Sequence, residues 1–281
     1  MPILCIAGPT ASGKSARAVE QALARGGEII SVDSRQVYRG LDIGTEKIAM
    51  EEMRGVPHHL MDIRGPRQAY SAGDFAVDAR QLIKEITARG RLPILAGGTH
   101  FYFDALLNGL PIETPPNAEL REKLESLPSA ELYARVNALD ARRAAELDPQ
   151  NRRRLIRALE IVAQHGSVPP RDFVCPYMVE WVIIDPPMPE LRERIDDRLK
   201  AAFDRGLLEE VRRVWQEVGD MRLNELGLEY RIVGEYLRSE RSKGSLLPAL
   251  SAKLWHFARR QKAWLRKLAP TQVTSPHQGK S

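Results

Sequence analysis

The chain carries only two cysteines, Cys5 and Cys175, in 281 residues. They lie far apart and have no metal-ligand spacing, which argues against both a disulfide framework and a zinc site; both read as inert, buried thiols. No apolar stretch approaches the ~18 residues that a membrane helix needs. The start, Met1 to Ala7, is too short for a signal peptide before a glycine motif begins. The expectation is a cytoplasmic protein with no membrane partner. What is present is the mixture of a soluble globular chain, 43% hydrophobic and 28% charged, at a length that suits a main domain with a smaller insertion or appendage. A net charge of +5 lends mild support to a polyanionic partner such as nucleic acid.

Apolar runs and breakers give the organisation. Ile3 to Ala7 reads as a buried strand, Gly8 to Ser15 as a loop, and Ala16 to Arg25 as a helix that Gly26-Gly27 stops. Glu28 to Val32 is a second strand, ending in Asp33. Strand, helix and strand at this spacing form a βαβ unit, and the pattern repeats with a helix over Phe75 to Arg89 and a strand over Leu92 to Ala96. Thr114-Pro115-Pro116 then breaks the chain. The stretch to about Ala163 is helical, alanine-rich and arginine-rich, with no strand, and Gly166 to Pro170 reads as a linker. Val179 to Ile184 returns to the sheet, and helices fill Pro189 to Ala202, Leu207 to Val218 and Leu246 to Leu268. The expected fold is α/β: a P-loop NTPase-like parallel sheet flanked by helices over residues 1–113 and 178–268, with an all-helical insertion over 114–177. Residues 269–281 read as a disordered tail.

Gly8-Pro9-Thr10-Ala11-Ser12-Gly13-Lys14-Ser15 fits G-x-x-x-x-G-K-[ST] between a strand and a helix, the context the motif requires. Its glycines let backbone N–H groups turn inward at a helix N-terminus, where the dipole favours anions. Lys14 adds a point charge, and the Ser15 hydroxyl is the candidate Mg²⁺ ligand. The loop can serve phosphoryl transfer, or it can steady a diphosphate that departs as a leaving group. Asp33 ends the second strand and so should project at the same sheet edge. It is either a general base or hydrogen-bond acceptor for an incoming nucleophile, or else a cap for Ser34-Arg35-Gln36 or an indirect, water-bridged partner of Mg²⁺.

The run from Asp33-Ser34-Arg35-Gln36 through Tyr38 and Gly40 to Asp42-Ile43-Gly44-Thr45 resembles the tRNA dimethylallyltransferases, also called tRNA isopentenyltransferases. Similar stretches follow in order: Pro57 to Ile63, Ser71 to Phe75, Pro93 to Thr99 with Tyr102, Ala105 to Leu110, Asp148-Pro149 with Asn151, Arg154 and Arg157 to Glu160, Gly206 to Val211, and Ala258-Arg259-Arg260-Gln261 with Trp264. The resemblance implies transfer of a dimethylallyl group from dimethylallyl diphosphate to the N6 amine of an adenosine beside the tRNA anticodon. It implies that Asp33 accepts the amine proton, that Thr10 aligns the reacting groups, and that Lys14 with Ser15-bound Mg²⁺ neutralises the departing diphosphate. Ser34, Arg35 and Gln36, with Thr99, would contact a flipped base, and Arg231 is a candidate diphosphate ligand. Two departures stand out. His100 takes a position that is often glycine, and Gly227-Leu228-Glu229-Tyr230-Arg231 brings Glu229 into a Gly-Tyr-Lys/Arg pattern, with Leu226 where some members carry arginine.

Arg153, Arg154 and Arg157 share or adjoin one face of the helical insertion, which suits RNA phosphates or, equally, a solvated or internally paired face; Arg121 joins them as a tRNA contact. Arg259, Arg260, Lys262, Arg266 and Lys267, interleaved with Trp255, Phe257 and Trp264, are a second candidate path for the anticodon stem-loop. His58 and His59 read as structural. The chain is expected to act as a monomer. Competing readings are an adenylate isopentenyltransferase acting on a free nucleotide, a small-molecule kinase using ATP at the same loop, and a non-catalytic RNA-binding protein.

Overall fold

Five parallel strands form one sheet in the order β3-β2-β4-β1-β5, in a computed structural model that describes residues 1–110, 117–170 and 172–268. The strands are β1 (Pro2–Ala7), β2 (Gly27–Val32), β3 (His58–His59), β4 (Leu92–Gly97) and β5 (Met178–Ile183). The helices of the sheet-bearing unit before the insertion are α1 (Lys14–Arg25), α2 (Met50–Met53), α3 (Ala72–Ala88) and α4 (His100–Leu107). Those of the insertion are α5 (Ala118–Glu125), α6 (Ser129–Leu139), α7 (Ala141–Ala145) and α8 (Arg152–His165). After β5 come α9 (Met188–Asp204), α10 (Leu207–Glu225), α11 (Leu228–Leu237) and α12 (Leu246–Leu268). The break at Thr114 to Pro116 and the tail at 269–281 lie outside the described residues.

The three inner strands β1, β2 and β4 are buried along most of their length, as a parallel sheet covered by helices requires. Leu4 and Ile6 of β1, Ile29 of β2 and Ile94 of β4 pack with Ala18, Val19 and Ala22 of α1 in one buried cluster. Burying each larger side chain of this kind is worth about 1.5–3 kcal/mol. Local signals set the helix ends. Gly26 closes α1 at φ 65, and α3 starts on a capping box in which Ser71 Oγ accepts from Asp74 N and Asp74 Oδ2 accepts from Ser71 N.

Register decides what the sheet presents. Gly97 of β4 lies opposite Ala7 of β1 and Val32 of β2, so the three strands end at one level. A Cβ on Gly97 would fall 2.1 Å from the Val32 carbonyl oxygen, so only glycine allows this close approach. The segments that follow these ends, Gly8 to Ser15, Asp33 to Gln36 and Gly98-Thr99, therefore emerge side by side.

Two compact units are present: Met1–Leu107 with the chain from Pro176 onward, and Asn108–Cys175. The second contains only helices among its described residues, and its core joins Leu132 and Val136 of α6 to Leu155, Ile156 and Leu159 of α8. No helix among the described residues is long and apolar enough to cross a membrane. Four of these elements were not read from the sequence. α2 is a four-residue helix with no buried residue; β3 is a two-residue edge strand; α4 buries Tyr102, Phe103, Ala105, Leu106 and Leu107 and so lacks an amphipathic period; and α11 follows directly on Gly227 and contains Gly234.

Candidate active site

The P-loop turns at Gly13, the N-cap of α1, where φ is 84, a value glycine adopts without the Cβ penalty. Ala11 also takes a positive φ, 61. Thr10 to Ser15 line a cavity of about 650 Å³, together with Asp33 to Gln36, Gly44 to Glu46 and Gly97 to Thr99. Gly8 and Pro9 are buried and form the loop's base; the Pro9 carbonyl accepts from Lys14 Nζ at 3.3 Å. The Ser12 hydroxyl is buried and has no hydrogen-bond partner, a donor suited to an anion in the cavity. Burial pulls the Lys14 ammonium down to about 8, opposed by the Asp33 carboxylate and reinforced by the Arg198 guanidinium.

Asp33 lies where the sheet edge places it. Its Oδ1 accepts from the backbone N–H groups of Arg35 at 2.8 Å and Gln36 at 3.3 Å. The capping reading of Asp33 is thus present in the geometry, and it uses one oxygen of two. Thr99 meets the same turn: its Oγ1 accepts from Ser34 N at 3.1 Å, and its N–H donates to Val32 O at 3.2 Å. Gln36 is committed to structure. Its Oε1 accepts from Ser31 Oγ, and its Nε2 donates to the carbonyls of Thr45 and Glu46. Reading a base edge with that amide would require breaking these bonds.

Two arginines not singled out by the sequence reading, Arg198 of α9 and Arg205 just beyond it, reach the cavity. Arg198 Nη1 donates to Thr10 Oγ1 at 2.6 Å. Arg231 is exposed on α11 and is not among the lining residues; the positive charge that sequence reasoning sought there comes from α9. Glu229 does line the cavity. Burial raises its carboxyl above the ordinary range, with Arg198 opposing and Asp33 and Glu46 adding to the rise. Leu226, Leu228, Leu254 and Phe257 give the cavity an apolar wall.

Other groups hold this arrangement in place. The buried Glu210 carboxylate accepts from the N–H groups of Asp42, Ile43 and Gly44 at 2.8–2.9 Å and from the Tyr230 hydroxyl at 2.7 Å. From α12, Gln261 Oε1 accepts from Thr10 N at 2.9 Å, and its Nε2 donates to Gly98 O at 2.9 Å. Both residues lie within stretches singled out in the sequence, Gly206 to Val211 and Ala258 to Gln261. Lys262, by contrast, is buried against Asp185 Oδ1 at 2.5 Å and is withdrawn from any RNA path. Trp264 packs on Phe103 and on His100, whose ring lies 5.3 Å away. His59 Nε2 and Glu28 Oε2 lie 2.8 Å apart, and His58 Nδ1 is 2.8 Å from the Val56 carbonyl, so both histidines are structural.

In the helical unit, Arg121 makes a bidentate pair with the buried Glu160 at 2.8 and 3.0 Å, and Arg157 reaches the same carboxylate at 3.3 Å. Arg153 and Arg154 are exposed on α8. The four arginines therefore divide into an internally paired set and a solvent-facing set.

Residues 36–268 match the family model described as IPP transferase. The chain belongs to the IPP transferase family. Among its relatives, the tRNA dimethylallyltransferase of Thermomicrobium roseum is 42% identical, covering 98% of this chain and 87% of that protein. The tRNA dimethylallyltransferase of Anaeromyxobacter dehalogenans is 41% identical over 95% of this chain and 92% of its own length. The crystal structure of the tRNA isopentenylpyrophosphate transferase from Bacillus halodurans superimposes with a TM-score of 0.72 at 35% identity, covering 95% and 88% of the two chains. A eukaryotic dimethylallyltransferase acting on tRNA gives a TM-score of 0.83 at 27% identity, covering 94% of this chain and 69% of that one. The parallel sheet and flanking helices are thus the IPP transferase architecture, and the cavity at its carboxyl edge is built largely from residues inside the family match.

Proposed function

We propose that this chain transfers a dimethylallyl group from dimethylallyl diphosphate to N6 of an adenosine beside the anticodon in tRNA, releasing diphosphate. The observation that carries the reading is the meeting, in one cavity, of the phosphate-binding loop, the Asp33 carboxylate and the Thr10–Arg198 pair. In the reaction the bond from N6 to the prenyl carbon forms as the bond from that carbon to oxygen breaks. The electron pair stays on the diphosphate, and the amine proton passes to Asp33.

Asp33 keeps its turn through Oδ1 while Oδ2 takes the proton. Thr10 accepts from Arg198 and so retains its own hydroxyl proton to donate to the leaving oxygen. Lys14, Arg198 and the N–H groups of the loop stabilise the charge that develops there. The apolar wall of Leu226, Leu228, Leu254 and Phe257 suits the five-carbon group. Ser34, Arg35 and Thr99 border the side from which the base enters.

A divalent metal fits these residues, and the Ser15 Oγ would be its protein ligand. Among the described residues there is no cluster of three His, Cys, Asp or Glu able to hold an ion, and a site of one hydroxyl completed by substrate oxygens and water is the habit of Mg²⁺. When bound, such an ion supplies further charge neutralisation to the diphosphate.

The acceptor is tRNA, with Arg153 and Arg154 engaging its phosphates while Arg121 and Arg157 hold Glu160. The adenine must leave its stack to enter the cavity, at a cost of a few kcal/mol. The protein works as a monomer in the cytoplasm. Incubation with dimethylallyl diphosphate and either unmodified tRNA or AMP, followed by mass analysis of the nucleosides, tests the whole reading. A five-carbon addition to adenosine in tRNA is expected, and addition to AMP alone would replace the acceptor.

A further inference from the structure

Arg198 and Arg205 are already in part engaged by the protein. Glu46 Oε1 lies 2.7 Å from Arg205 Nη2 and 4.0 Å from Arg198 Nε, and all three side chains line the cavity that also holds Lys14. The position of Glu46 is imposed by its loop. Its φ is 52, a left-handed value that costs a non-glycine residue about 1 kcal/mol or more. Its N–H donates to Ile43 O, and its carbonyl accepts from Gln36 Nε2, each at 3.2 Å. A second acidic lining residue, Glu52, is differently employed: its carboxylate accepts from Ala49 N at 3.1 Å.

We propose that Glu46 is a built-in competitor for the diphosphate, sharing Arg205 and Arg198 with it and so limiting how tightly donor and released diphosphate are held. This rests on the diphosphate reading given above. A guanidinium with no protein partner would bind the diphosphate of substrate and product alike, and such uniform binding deepens the ground state without raising the rate of the chemical step. A carboxylate beside the guanidiniums lowers their hold on the bound diphosphate. The full charge that develops on the leaving group then draws them away from Glu46 when it is needed. The strained backbone of Glu46 is consistent with a side chain placed for this purpose, since the same loop turn is available to glycine at lower cost.

The test is titration of inorganic diphosphate, with magnesium chloride present, into the full chain, alongside steady-state kinetics. Glu46→Gln is expected to bind inorganic diphosphate about 3–5-fold tighter, the upper end of what a partly exposed charge pair contributes, and to lower KM for the donor. Glu46→Gly removes the carboxylate while suiting the positive φ, and it should behave alike even where the glutamine variant folds poorly. Glu52→Gln should shift the affinity by less than about 2-fold, and in an Arg205→Ala background most of the Glu46→Gln gain should vanish, as a coupled pair requires. Unchanged or weaker diphosphate binding by a Glu46 variant with the wild-type melting temperature would overturn the proposal. So would a gain that persists undiminished without Arg205. If the wild-type chain binds no inorganic diphosphate, the diphosphate reading itself fails and this proposal with it.

Discussion

Arg198 donates to the hydroxyl of Thr10 at 2.6 Å, across 188 positions of sequence. This contact makes α9 part of the phosphate loop's chemistry. Arg198→Ala should lower kcat/KM by about 10²–10³-fold, the loss typical of one charge-stabilising donor in a preorganised site. Arg231→Ala, on the exposed face of α11, should stay within a few-fold of wild type. Parallel kinetics on the two variants decide which arginine serves the diphosphate.

Asp33 both caps a turn and faces the cavity, and one substitution separates the roles. Asp33→Asn keeps an oxygen to accept from Arg35 and Gln36 while removing the basic carboxylate. Turnover should fall by at least about 10²-fold, with the melting temperature and tRNA affinity close to wild type. Near-normal turnover would leave Asp33 as a cap alone. Asp33→Ala should abolish transfer as well, with an added stability loss of about 1 kcal/mol for the missing cap.

Lys14 gives a pH signature with two opposed signs. Its folded-state value of about 8 lies below the usual 10.5, so between these the unfolded chain binds more protons and stability contributed by this group rises with pH. Anion binding runs the other way, because the ammonium charge is lost above about 8. KM for dimethylallyl diphosphate should therefore climb from pH 7.5 to 9.5 while thermal stability does not fall on account of Lys14. Lys14→Arg should flatten the climb in KM.

The arginines of the helical unit should separate by phenotype. Arg153→Ala with Arg154→Ala should weaken tRNA binding and reduce the salt slope of log K by about 1–2, since each lost phosphate contact removes about 0.7–0.9. Arg121→Ala should instead destabilise the unit by about 2 kcal/mol, because Glu160 is fully buried and depends on its pairing. Denaturation curves and filter binding at several salt concentrations distinguish the two outcomes.

The parts of the site that were legible in the sequence are those that a parallel sheet brings together by rule. Gly8 to Ser15, Asp33 and Thr99 each follow a strand, and the strands end level because Gly97 pairs with both neighbours. Arg198 and Arg205 had no such signal. Their role depends on how α9 lies against the loop, and nothing in the helix sequence distinguishes them from Arg192 or Arg194, which pair along the same helix. Gln36 looked available because its type suits base reading, yet its amide is consumed by the carbonyls of Thr45 and Glu46. The arginine run on α8 likewise could not reveal that Glu160 would claim Arg121 from a different helix. Topology was readable, whereas the spending of individual polar groups was not.

The backbone N–H of Thr10 waits for Gln261, 251 positions later in the chain. During synthesis the sheet's first βαβ unit can form long before the ribosome delivers α12, but the loop it carries has no partner for that donor until then. Hydrogen exchange at the Thr10 amide should accordingly be faster in a chain shortened before residue 261 than in the full chain. The first functional segment to be translated therefore gains this contact only after α12 has been made, and the loop's last backbone restraint arrives from the far side of the sequence.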